Sequence, residues 1–145
     1  MTAMTDTLEN ILIDYYFRGV APTLPTNLYI GLMTAAPSDT GPGTEVTGAG
    51  YARVSVSRAT ASWNGTHGST SGNSSGTNGT TTNAIAVNFA VPTANWGNIT
   101  HWGVWDAATG GNLHWYGALT TSKTVNSGDA APQFLAGQIS IQIDN

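Results

Sequence analysis

From residue 27 onward the chain repeats one pattern. Short runs with apolar side chains at every second position are separated by clusters of Gly, Pro, Asn and Thr. A period of two sends alternate side chains to opposite faces of an extended strand, so each run can bury its apolar face only within a sheet. Residues 27–34 (NLYIGLMT) are apolar on both faces and read as a central strand. YARVSVSR (51–58) sets Ala52, Val54 and Val56 against Tyr51, Arg53 and Ser55. AIAVNFAV (84–91) places Ile85, Val87, Phe89 and Val91 on one side, and QISIQI (138–143) does the same with Ile139, Ile141 and Ile143. ITHWGVWD (99–106) and LHWYGAL (113–119) flank AATGG, a short Gly-containing connection of hairpin type. Only residues 5–19 depart from this. They carry Leu8, Leu12, Tyr15 and Tyr16 at three- and four-residue spacing, with Asp6 as the cap, Glu9 three positions on, and Gly19 and Pro22 as terminators. The expected fold is one mainly β domain over 1–145, an antiparallel β-sandwich (jelly-roll-like) with one short N-terminal helix. A helix this short is marginal alone in water and must dock on the domain or on another subunit.

Composition narrows the function. The 145 residues carry 4 basic and 8 acidic side chains, a net charge of -4. With Arg18, Arg53, Arg58 and Lys123 as the only fixed cations, a protein that tracks a phosphate backbone or lies on a membrane through a polybasic face is excluded. No run approaches the roughly 20 apolar residues of a membrane span, and MTAMTDTLEN lacks the basic start and apolar run of an export signal. The absence of cysteine removes disulfides, thiolate chemistry and Cys-based zinc sites. Gly, Thr, Asn and Ser together supply 63 residues. A surface of small neutral polar groups is cheaper to bury against a neighbour than a charged one.

Two loops stand out. Residues 36–50 hold two prolines, four glycines, Asp39 and Glu45, too long for a simple hairpin link. Residues 64–83 are Gly, Ser, Thr or Asn at 19 of 20 positions. The plainer reading of that tract is a flexible surface loop; the other is an arm that orders along a neighbouring subunit. Catalytic chemistry finds little support. Asp39, Glu45, Asp106 and Asp129 fall in separate turn-like segments, and nothing selects two of them as a glycosidase pair. No nucleophile elbow, Walker loop or H-E-x-x-H helix occurs, so no catalytic residue and no cofactor is expected. His101, Asp106 and His114 lie along one hairpin and can converge on a metal only in one register; hydrogen-bonded interface histidines are the preferred reading, with no metal. Trp96, Trp102, Trp105, Trp115 and Tyr116 crowd into 21 residues, with rings on both strand faces. They read as core plus rim, as a subunit interface, or as a sugar-stacking platform, the interface ranking above the platform. Arg53 and Arg58 join them as interface candidates, each suited to a carboxylate on an adjacent subunit.

Three stretches also look familiar. Residues 28–56, the run WGNITHWGVWDAATGGNLHWYGAL (96–119) and TVNSGDAAPQFLAG (124–137) resemble a family of small tailed-phage virion proteins, commonly labelled tail fibre proteins. The same size class of β-sandwich includes capsid cement (decoration) proteins. The resemblance spans nearly the whole chain, while the 64–83 tract is longer and more repetitive than the family pattern. It implies a non-enzymatic structural part of the virion, assembled in the bacterial cytoplasm as a homo-oligomer, a trimer on the resemblance alone. Its partners would be the major capsid protein or tail proteins. With no stalk, heptad or fibrous repeat in the chain, a cement protein bridging the outer shell is the first expectation. The alternative is a tail fibre or tip component that recognises a host surface glycan through Trp102 or Trp115. A glycan hydrolase ranks last. Contacts with neighbours are expected at the charge-free 64–83 tract and the Trp-rich hairpin.

Overall fold

The computed structural model describes residues 2–143. At its centre lies β2 (Asn27–Ala35), paired antiparallel along one side with β7 (Gly97–Trp105). The other side of β2 carries two short strands in tandem, β3 (Thr44–Glu45) near its end and β4 (Val54–Ser57) near its start. β7 turns into β8 (Leu113–Val125), and β1 (Thr2–Met4) adds to the far edge of β8. Two ribbons, β5 (Thr80–Thr82) with β10 (Ser140–Gln142) and β6 (Val87–Asn88) with β9 (Gln133–Phe134), complete the strands. All pairings are antiparallel, and the fold is mainly β with one short helix, as the alternation predicts.

The central position of β2 explains its sequence. Ile30 and Leu32 face the main core with Ile99, Trp102 and Val104, and Val87, Phe89, Ile139 and Ile141 close it from the segments around the two ribbons. Met33 faces the opposite way, into a smaller cluster with Trp105 and Leu113. Register shifts between Ile99 and His101, and between Val104 and Trp105, distribute the rings between these clusters. At the first shift β8 passes five residues while β7 passes two, and this odd offset reverses the alternation, so Ile99 and Trp102 share a face despite their odd spacing. Glycines make room for the indoles. A Cβ on Gly117 would stand 2.8 Å from the Trp102 ring, and one on Gly31 would stand 2.7 Å from the Trp105 ring.

Several boundaries differ from the sequence reading. The 51–58 run forms a strand only over Val54–Ser57, and the 84–91 run only over Val87–Asn88. Val87 and Phe89 are buried, but Ile85, Val91 and Ile143 are exposed because the short ribbons leave no layer to cover them. β8 runs six residues past the expected end, since Gly97 and Asn98 supply partners for Val125 and Thr124. The helix α1 (Asp6–Phe17) is capped by Thr5, not Asp6. Thr5 makes no side-chain cap because its hydroxyl donates instead to the Leu113 carbonyl at 2.6 Å, fixing the helix start to β8. Asp6 and Glu9 remain in the first turn, where negative charge suits the helix dipole. Gly19, at φ 69°, ends the helix as expected, with the Val20 N–H reaching back to the Asp14 carbonyl.

Candidate functional site

Most of the singled-out side chains are used inside the chain. Trp96, Trp102 and Trp105 are buried. Arg53 packs 4.1 Å above the Trp105 ring, donates twice to Glu45 at 2.7 Å, and gives two further bonds to the carbonyls of Ala107 and Gly110. A planar guanidinium satisfies all of these at once, which an ammonium cannot. It locks the 36–50 loop to the β7–β8 turn. Tyr51 completes the cluster by donating to Glu45 and accepting the Leu32 N–H. Burial first of all, against the pull of that N–H, drives its phenol far above the ordinary tyrosine value.

The histidines do not meet. His101 lies opposite Ala118, four residues along β8 from His114, a separation of about 13 Å on an extended strand. His101 bonds to the Thr100 hydroxyl at 2.8 Å. His114 occupies the irregular step beside Trp105, its Nε2 buried without a hydrogen-bond partner and 3.7 Å from Asp106 Oδ2. Burial lowers its pKa, and the Asp106 charge offsets this only in part. Burial would raise the Asp106 carboxyl, but the amides of Asn112 and the charge on His114 outweigh it and hold it below the ordinary value. Among the described residues no three His, Asp, Glu or Cys side chains gather as metal ligands. Tyr116 reaches outward, its hydroxyl donating to Asp39 at 2.9 Å.

The 64–83 tract is built into the domain. Its two ends lie together through a bridge between Trp63 and Asn83 and a bond from the Asn64 N–H to the Thr82 carbonyl at 2.9 Å. Between them, side chains stand in for a core. The Thr81 hydroxyl donates to the Asn64 carbonyl, and the Gly76 N–H donates to the Thr66 hydroxyl, both at 2.6 Å. Local bonds of this kind are the ones Ser, Thr and Asn offer most readily. Asn83 ends the tract fully buried. Its amide donates to the carbonyls of Ile85 and Leu135 and accepts the Ile139 N–H, at 2.8–2.9 Å.

Folded this way, the tract forms one wall of a groove of about 420 Å³. Trp63 and Trp115, both half-buried, line it together with Asn64, Ser69, Asn73 and Ser74. Arg58 stands at the rim, bonded through one nitrogen to the Pro25 carbonyl. The Trp63 indole N–H is buried with no acceptor. A second cleft of about 450 Å³ runs beneath β9 beside Lys123, but the indole in its wall, Trp102, is only 4% exposed and offers no free face. Trp115 and Arg58 were legible as candidates in the sequence, and Trp63 was not. Its signal was its position, directly before a charge-free tract that closes back on it.

The molecule is a small antiparallel β-domain with Trp96, Trp102 and Trp105 inside and an indole-lined groove at its surface. Residues 3–142 match the family described as Podophage GP4 fiber I protein gp80, and the chain belongs to that family. It is a structural protein of a tailed-phage virion, of the kind labelled fibre. No curated protein matches the chain.

Proposed function

We propose that the chain is a non-enzymatic tail-fibre component that holds a host surface polysaccharide in the Trp63–Trp115 groove. The observation that carries this is the meeting of two half-buried indoles with a wall of neutral amides and hydroxyls. A sugar ring presents C–H groups on its faces and hydroxyls at its edges. Indole faces suit the first and Asn, Ser and Thr the second, in a cleft of the size small ligands occupy. Arg58 at the rim favours an acidic saccharide. Family membership favours this reading over the capsid-cement one, because the matched family is a fibre family.

Titrating the purified protein with host surface polysaccharide, followed by tryptophan fluorescence and calorimetry, tests it. Saturable binding is expected, weakened about tenfold or more by Trp63→Ala or Trp115→Ala, equivalent to at least ~1.4 kcal/mol. Circular dichroism of both variants should retain the β spectrum, and the polysaccharide should be recovered unshortened. Absence of binding to both the polysaccharide and intact host envelopes would sink the proposal.

A further inference from the structure

The sequence requires α1 to dock its apolar stripe, and the domain does not take it. Leu8 is the only buried side chain of the helix. Leu12, Ile13, Tyr16 and Phe17 remain 41, 49, 80 and 78% exposed. At 100° per residue these four cover an arc of about 140°, the width of a face that normally meets a core. Tyr16 and Phe17 pack edge to face at 5.1 Å, so the arc is a continuous surface. Val20 and Leu24, also around half exposed, extend it past the Gly19 turn.

We propose that this face is a self-association surface, covered in the assembled protein by a further copy of the same chain. Two features select that occupant. The exposures correspond to roughly 650–750 Å² of mostly apolar surface, above the patch a monomer ordinarily leaves open and close to one side of a standard stable interface. The composition is that of a homo-oligomer core, aromatic and aliphatic. Asp14 and Arg18 lie on the opposite side of the helix and pair with each other at 3.1 Å. Asp6 and Glu9 project within the arc but only in the first turn, so the apolar contact centres on the last two turns, from Leu12 to Phe17. Docking would also supply the stability that a 12-residue helix lacks by itself.

The inference is independent of the sugar groove, whose residues lie on other elements. Sedimentation velocity and light scattering of the full chain at micromolar concentration test it. An integer multiple of the 15.0 kDa chain mass is expected. The double variant Tyr16→Ser with Phe17→Ser should shift to the monomer mass with its β circular dichroism retained, since neither ring is used inside the domain. Val91→Ser, on an exposed apolar residue elsewhere, should assemble like the wild type. A monomeric wild type, or a double variant that assembles undiminished, overturns the proposal; the former would leave the face to a different virion protein.

Discussion

His114 shows what one extra residue does to a side chain. Regular pairing would set it in simple alternation, but the register step beside Trp105 leaves its ring buried, unpaired at Nε2 and 3.7 Å from a carboxylate. Its folded pKa lies below the ordinary value of about 6.5, so the unfolded chain takes up this proton first as pH falls. The contribution of neutral His114 to stability is therefore complete above that value and declines as pH drops through it, until the lowered folded pKa is passed. Asp106, also lowered, acts in the same direction, its contribution being lost below the ordinary carboxylate range. The urea midpoint should fall between about pH 7.5 and 5.5, and His114→Gln should flatten that descent. An unchanged descent in the variant would assign it to another group. None of this is visible in the residues themselves. Arg53 is similar: a lone cation on an alternating run suggests a partner subunit, but the carboxylate it meets is eight residues back in its own chain.

Elements formed where the pattern was strong and local. β2, β7 and the helix fall close to the expected bounds, because each carries a long apolar period and recognisable stop signals, whereas β8 starts where expected and runs on along β7. The short ribbons kept only the middle of the runs that predicted them, since a two-residue pairing leaves Ile85 and Val91 without a facing layer. The 64–83 tract is the clearest case of tertiary context overriding composition. Read alone it is linker-like, but it ends at Asn83, whose side chain ties the neighbouring Ile85 carbonyl to two backbone groups of the distant 135–139 segment. Asn83→Ala leaves the buried Ile139 N–H without its acceptor and two part-buried carbonyls without their donor, and should cost about 2–4 kcal/mol, measured by urea unfolding. A loss below about 1 kcal/mol would show that water or a local shift replaces the amide. The same substitution should loosen the groove wall before the main sheet, seen as early amide exchange over residues 64–82.

For the molecule as a whole, family membership and fold agree on a virion part, and copy number checks which part. In purified particles the chain should appear at the level of tail proteins; parity with the major capsid protein would restore the cement reading. The strand-rich class, the scarcity of charge and the helix that needs a partner all follow from period and composition, because backbone geometry converts spacing into faces without regard to the rest of the chain. Which indoles lie inside and which line a groove followed from two register shifts and from a loop closing on Asn83. Those are contacts between residues far apart in sequence, and no local pattern encodes the distance across a sheet. Spacing along the chain therefore assigned residues to faces, while long-range pairing decided which of those faces would meet water, sugar or another copy.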